Sequence, residues 1–377
     1  MSRKIAAHYA LIDGTLKRNV VVEVDASRRI ISITQPDPID SCASVEFYPG
    51  ILIPGMVNAH CHLELSYLRG AIEEHTGFAG FARAIGQVRG NYTTEERLRA
   101  AATADAQMWE EGVEAVMDIA NDDLIMPIKS ASHIRYTTLF EVFGLRTDSI
   151  DSHMEMSQRY ANSSITPHST YSLQDELFKS ACRGNTSTIS IHLLESSDET
   201  LLYSHQGSLA QWYDSMGWAC DFLHYGTPAR RVTESIDARR RLLLVHGCMA
   251  THADISLIDN HFSDNATWVL CPESNRYISN IKPPIGLLRD MKAPIAIGSD
   301  SLASARSLSL IDNLRLIANT HLEELLSWAT IGGAKAIGMD DELGTIAIGK
   351  RPGLVIIEGV DMQNMQLTDD SKAHRII

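Results

Sequence analysis

The chain has 377 residues, 44% of them hydrophobic, and its 33 basic and 47 acidic side chains leave a formal net charge of −14. The length fits a barrel of roughly 250 residues with a smaller unit attached, and the acidity argues against a nucleic-acid binder, which normally carries a basic patch. No stretch approaches the ~20 apolar residues of a membrane span. A signal-peptide pattern is also absent from the N-terminus.

A soluble protein handling a small neutral or cationic substrate fits this charge. The six cysteines, Cys42, Cys61, Cys182, Cys220, Cys248 and Cys271, form no C-x-x-C pair, which disfavours a zinc ribbon or a thioredoxin-type site. The cytoplasm, where thiols stay reduced, is the expected location.

In chain order, residues 1–52 read as short strands. Ala6–Ile12, Asn19–Val24 and Arg29–Ile33 carry alternating apolar positions, punctuated by Asp13-Gly14 and by residues 25–28, so a small antiparallel unit is expected. The apolar run Ile51–Val57 follows. Seven more recur at Ala115–Ile119, Tyr136–Phe143, Ser164–His168, Thr188–Leu194, Leu242–His246, Thr267–Leu270 and Ile295–Ile297. Amphipathic stretches lie between several of them. Thr94–Glu111 opens on Thr-Thr-Glu-Glu and closes at Gly112, and Asp175–Cys182 closes at Gly184. Eight strand–helix alternations predict an α/β protein built on a (β/α)8 TIM barrel.

The tail changes character. His321–Ile337 reads as one helix ending near Gly338. Short strands are expected at 344–346, at 349–350 and at 353–357, returning the chain to complete the N-terminal sheet. The expected organisation is a small β-sandwich domain built from both chain ends (1–52 plus 341–377) and a barrel over 53–340.

Catalytic groups of such a barrel come from the C-terminal ends of its strands. The run at 51–57 leads into His60 and His62, which alternate strand geometry would aim at one point. His192 lies on the fifth strand with Glu195 three residues on, His246 ends the sixth, and Asp300 follows the eighth. Three imidazoles and one carboxylate from such a set suit zinc or ferrous iron.

The stretches PGMVNAHCHLELSYLRG (54–70), TPHSTYSLQDELF (166–178), HLLES (192–196), VHGC (245–248), CPESN (271–275) and GSDSLAS (298–304) occur in order, followed by the tail WATIGGAKAIGMDDELGTIAIGKRPGLVII (328–357). Through nearly its whole length the chain thereby resembles the amidohydrolase superfamily. More narrowly it looks like the purine and triazine aminohydrolases: S-adenosylhomocysteine/methylthioadenosine, aminodeoxyfutalosine and guanine deaminases and triazine hydrolases.

The resemblance implies one divalent metal ion, zinc first and ferrous iron second, held by His60, His62, His192 and Asp300. It implies Glu195 as the proton shuttle, His246 as the group that positions water and donates to the developing alkoxide, and Asp300 as a proton acceptor. His168 matches a position that faces the substrate in several deaminases. A bridging lysine or glutamate for a second metal is missing from Ser164–His168, and Glu141 is the nearby acid, so a single metal is expected.

The chemistry agrees, because a metal lowers the pKa of bound water, and a positioned carboxylic acid can protonate a ring nitrogen and then help deliver a proton to the leaving amine. Glu64 shares the expected strand face of His60 and His62 and is a candidate for an amino or hydroxyl group of the substrate, with pairing to Arg69 as its alternative. Arg146, Arg276 and Arg306 are candidates for a substrate carboxylate.

The expected reaction is metal-dependent hydrolytic deamination of an amino-substituted heterocycle, an adenine-type nucleoside such as aminodeoxyfutalosine, methylthioadenosine or adenosylhomocysteine, to the keto product and ammonia. Hydrolysis of another C–N or a C–Cl bond is the alternative within enzymes. A non-catalytic ligand-binding barrel is the alternative outside them. The expected partner is a small molecule, with neither nucleic acid nor membrane, and a homodimer is the prior for the assembly.

Overall fold

The computed structural model describes residues 2–36, 44–146, 150–184 and 188–377; Cys42 lies outside them. Five strands form first: β1 (Arg3–Ile12), β2 (Thr15–Lys17), β3 (Val21–Val24), β4 (Ile30–Thr34) and β5 (Val45–Pro54). Asp13 and Gly14 both take positive φ, 52° and 75°, the backbone that a two-residue hairpin between twisted strands needs. The unit is not wholly antiparallel as expected. β1 pairs with β5 in parallel, because the connection through β3 and β4 is long enough to bring β5 back in the same direction.

Eight parallel strands make the main body. One four-stranded sheet runs β6 (Met56–Cys61), β7 (Val113–Ala120), β8 (Arg135–Val142), β9 (Ser163–Pro167). The other runs β10 (Thr188–Leu193), β11 (Arg241–His246), β12 (Ala266–Leu270), β13 (Ile295–Ile297). Nearly every residue of these strands is buried, as expected where helices cover the faces of a parallel sheet. Isolated parallel bridges connect the outer strands of one sheet to those of the other: Cys61 with Asp300, and Ser169 with His192. The amide of His192 donates to the His168 carbonyl at 2.9 Å, and that of Asp300 to His60 at 3.1 Å.

The apolar run 51–57 proves to be two strands in two sheets. Residues 51–54 belong to β5, and β6 starts at Met56. The chain passes from one sheet to the other at Gly55, where a Cβ would meet Glu114 Cγ and, at 2.5 Å, the Pro352 carbonyl oxygen. Hydrophobicity is continuous across this point because both sheets are buried, so periodicity could not reveal the change of sheet.

The helix at Thr94–Glu110 begins on a capping box formed by Thr93 and Glu96, which satisfies two otherwise unpaired amides. A second runs Asp175–Cys182 as expected. The helix expected over 321–337 is interrupted: Leu322–Ser327 and Gly333–Ile337 are α-helical, with a π turn at Trp328–Gly332 between them. Added Cβ atoms at Gly332 and Gly333 would lie 2.5 Å from Ile295 O and 2.6 Å from Val57 O, so this segment lies directly on β13 and β6. The tail supplies β14 (Leu354–Glu358), antiparallel to β5, and β15 (Lys372–Arg375). The stretches expected as strands at 344–346 and 349–350 are bends, a turn and irregular chain instead, and β15, with only four residues of mixed polarity, gave no clear pattern.

The first sheet thus has seven strands in the order β15-β14-β5-β1-β3-β4, with β2 on β1. Among the described residues no helix is long and apolar enough to cross a membrane.

Candidate active site

Residues at or just past the C-terminal ends of seven of the eight parallel strands line a cavity of about 510 Å³. His62, His168, His192, Glu195, His246 and Asp300 line it. Phe78, Phe143, Tyr171, Trp212, Tyr213 and Trp218 add an aromatic lining, with Phe143 and Tyr171 packed beside His168. His60 lies on β6, and His62 follows the strand end, immediately before a 3-10 turn at Leu63–Leu68. The Leu63 amide donates to Asp118 Oδ1 at 2.8 Å, which fixes the turn just after His62.

The ring centroids of His60, His62 and His192 lie 4.9, 4.9 and 5.6 Å apart. Ligand atoms of these three imidazoles stand within 4.8 Å of one another. Asp300 Oδ1 lies 3.8 Å from His60 Nε2 and 3.6 Å from His62 Nε2. Its other oxygen accepts from Ser274 Oγ and, at 2.9 Å, from Ser304 Oγ. Those serines sit inside the CPESN and GSDSLAS stretches, whose sequence marked them without giving them a role. Asp300 and His246 adopt φ of 58° and 77°, a region that costs a non-glycine residue on the order of 1–2 kcal/mol.

Burial favours the neutral form of His60 and His192, and the Asp300 carboxyl is held low. Burial drives His60 and His192 well below the usual histidine range, and the neighbouring imidazoles push the same way. Burial would raise the Asp300 carboxyl, but His62, His246, His60 and the Ser274 hydroxyl outweigh it and hold it low. His60 Nε2, His62 Nδ1 and His192 Nε2 are buried without a hydrogen-bond partner among the described residues. Buried polar atoms are normally satisfied. Unpartnered imidazole nitrogens beside an ionised carboxylate are a donor set that fits a divalent cation.

Behind this set, His246 Nε2 lies 2.9 Å from His192 Nδ1 and 3.7 Å from Glu195 Oε1, and His246 Nδ1 lies 2.8 Å from Asn275 Oδ1. Burial raises the Glu195 carboxyl, opposed by His246. Glu199, which the sequence did not single out, is fully buried and accepts from Thr170 Oγ1 and, at 3.1 Å, from the Glu195 amide. His168 lines the cavity with Nδ1 3.1 Å from Ser172 Oγ.

Glu64 differs from expectation. It sits on the 3-10 turn, not on a strand, so the two-residue period does not apply. It is buried and does not line the cavity; its oxygens take Asn121 Nδ2 at 2.7 Å and the Asp122 amide at 3.4 Å. Arg69 does not pair with it either, its guanidinium lying 3.4 Å from Gln107 Oε1. Of the three arginines, Arg146 lines the cavity. Arg276 pairs with Glu273 at 2.7 Å and Arg306 with Glu74 at 2.6 Å. Asn121 and the aromatic residues were missed; Asn121, Phe143, Tyr171 and Trp218 stand on loops, and Phe78, Trp212 and Tyr213 on helices beyond the strand ends, where strand periodicity does not reach.

The amidohydrolase family model matches residues 51–376. The chain is 24% identical over 341 residues to the adenosine deaminase of Helicobacter pylori, covering 82% of this chain and 79% of that protein. It is 23% identical over 357 residues to the 5-methylthioadenosine/S-adenosylhomocysteine deaminase of Bacillus cereus, covering 86% and 77%. Among solved structures it is similar to Helicobacter pylori aminofutalosine deaminase in complex with methylthio-coformycin, with a TM-score of 0.82, 21% identity and full coverage of both chains. It is also similar to a zinc complex of atrazine chlorohydrolase from Arthrobacter aurescens, with a TM-score of 0.75, 16% identity and coverage of 98% and 92%.

Proposed function

The chain belongs to the amidohydrolase family, and from that membership we propose that it is a metal-dependent hydrolytic deaminase. It exchanges the amino group of an amino-substituted heterocycle, an adenine-type nucleoside first, for oxygen and releases ammonia. The observation that carries this reading is the convergence of His60, His62, His192 and Asp300 beside the part-buried carboxyl of Glu195 at the wall of one cavity. The named relatives that deaminate adenosine compounds support the substrate class.

His60, His62, His192 and Asp300 would hold one divalent ion, zinc as in the chlorohydrolase complex or ferrous iron. Such an ion makes water acidic enough to supply hydroxide near neutral pH. The remaining work belongs to the chain. Glu195, whose carboxyl burial pushes up against the opposing effect of His246, acts as the acid that gives a proton to the ring nitrogen next to the carbon bearing the amino group. This offsets the negative charge that the ring takes up. Ionised Asp300 accepts a proton from water; Glu195, ionised after the first transfer, takes up that proton and delivers it to the leaving amine, and the hydroxyl proton of the tetrahedral adduct, lost as the keto group forms, restores Glu195. His246 was expected to donate to the developing alkoxide. In the resting geometry its Nδ1 faces the Asn275 carbonyl oxygen and its Nε2 faces the His192 N–H. Nε2 is therefore an acceptor, and it must take up a proton before it can give one.

We also infer that the eight parallel strands close into a (β/α)8 barrel over 53–340, with 1–52 and 341–377 forming the attached β-sandwich domain. The two isolated bridges support closure of the barrel. His168 and Arg146, which line the cavity, are proposed to contact substrate; Glu64 acts at one remove, through Asn121.

The test is release of ammonia by zinc-loaded protein from adenosine, methylthioadenosine, adenosylhomocysteine, aminodeoxyfutalosine, guanine and cytosine, with metal content measured on the same sample. Ammonia from an adenine compound supports the reading. One bound metal without ammonia moves the reaction to other C–N or C–Cl bonds. Neither metal nor ammonia makes the chain a binding protein.

A further inference from the structure

Asn121 follows β7 and lines the cavity beside His62 and Glu141. Its side-chain amide has two N–H groups, and both are used. Nδ2 lies 2.7 Å from Glu64 Oε1 and 2.7 Å from Glu141 Oε1. With acceptors on both sides of the nitrogen, the amide cannot turn over, and the group left for the cavity is its carbonyl oxygen. Glu141 lines the same cavity, is 5% exposed, and its Oε2 has no hydrogen-bond partner among the described residues. The Asn121 carbonyl oxygen and Glu141 Oε2 therefore stand as acceptors at the ends of β7 and β8, while Glu141 Oε1 takes the Asn121 amide and lies 4.0 Å from His62 Nδ1. A buried acceptor left unmade costs stability, and a substrate that fills it gains selectivity over one that cannot.

We propose that Asn121 and Glu141 form an acceptor subsite, and that the preferred substrate carries a second hydrogen-bond donor, a hydroxyl or an N–H, which they bind. This rests on the deaminase reading for its substrates, while Glu64 serves as a positioning residue that holds Asn121 in one orientation. The rival use of Glu141 is as a ligand of a second cation, since Glu141, His168 and His192 also offer ligand atoms within 4.8 Å of one another.

The experiment uses the zinc-loaded protein and two nucleoside pairs. Adenosine against 2′,3′-dideoxyadenosine tests sugar hydroxyls, and 2,6-diaminopurine riboside against adenosine tests an exocyclic N–H on the base. In each pair kcat/KM is measured, and Kd by calorimetry, for the natural chain, Asn121→Ala and Glu141→Gln. One pair should favour the donor-bearing member by about tenfold or more, and that pair names the source of the donor. Asn121→Ala should bring its ratio close to one. Glu141→Gln keeps an oxygen for Asn121 Nδ2 and turns an NH2 to the cavity, so it should level or reverse the ratio. Ratios near one in the natural chain, or ratios that the variants leave unchanged, overturn the proposal. So does a stoichiometry of two metals per chain that Glu141→Gln reduces to one. If no ammonia appears, the deaminase reading fails, and the Kd ratios still decide the subsite.

Discussion

Nδ1 of His192 lies 2.9 Å from Nε2 of His246, and this contact sets which nitrogen of His192 is free. His246 Nδ1 faces Asn275 Oδ1 at 2.8 Å. A carbonyl oxygen only accepts, so Nδ1 of His246 carries the proton, Nε2 accepts, and the proton of His192 sits on Nδ1. His192 Nε2 is left with a bare lone pair and no partner among the described residues. Outer partners of this kind typically change metal affinity by about 10–100-fold. Asn275→Ala should lower zinc affinity on that scale while the protein stays folded, as read by competition with a chelating dye and by circular dichroism. Unchanged affinity would mean that the tautomer is set elsewhere.

His192→Ala and Asp300→Ala remove donors from the set itself. Both should lose bound metal and all turnover, and the natural chain should lose its activity to a chelator and regain it with zinc. Metal analysis beside the ammonia assay checks this; full metal and full turnover in either variant would refute the ligand assignment.

Glu195→Gln keeps the shape of the side chain and removes the acid. It should retain metal and lose at least ~10²-fold in kcat, the ordinary scale of acid–base contributions. Near-normal rates would place the proton shuttle on another residue.

Two buried carboxyls should make stability depend on pH. Burial, with Asp122 adding to it, pushes Glu64 up to about 7, and burial pushes Glu199 up to about 8, against an ordinary value of 4.5. Between these limits the folded chain keeps protons that the unfolded chain has released. Stability therefore falls as pH rises from about 4.5 and levels above about 8. At about 1.4 kcal/mol per pKa unit, Glu199 accounts for on the order of 5 kcal/mol. Thermal melts from about pH 5 to about pH 8.5 should show a falling Tm, and Glu199→Gln should flatten the curve. An equally steep curve in the variant would rule out Glu199 as its source.

Gly298 precedes the site on the turn after β13. A Cβ there would lie 2.9 Å from His60 Cβ and 2.9 Å from its carbonyl oxygen. Gly298→Ala should displace His60, weaken metal binding and cost about 1–3 kcal/mol, the usual range for overpacking. Gly286, where an added Cβ meets nothing within 4 Å, is the control: Gly286→Ala should leave metal affinity unchanged.

Patterns along the chain were enough to find the eight apolar runs, the capped helix after Thr93 and the order of the histidine and acid motifs. These are local signals. A parallel strand buried on both faces must be apolar throughout, a helix start needs a side-chain acceptor for its free amides, and residues that follow strand ends are marked by the strands before them. Whatever depends on contacts between distant segments was settled only by folding. Packing split 51–57 between two sheets at Gly55, whose amide donates to the distant Pro352 carbonyl and which Glu114 also crowds. It moved Glu64 off the strand face and behind Asn121. It also brought Ser274, Ser304 and Asn275 to the backs of Asp300 and His246. Those partners are separated from their targets by 26, 4 and 29 positions, and no pattern along a single strand or helix reports the orientation that a distant hydroxyl or amide imposes on a site.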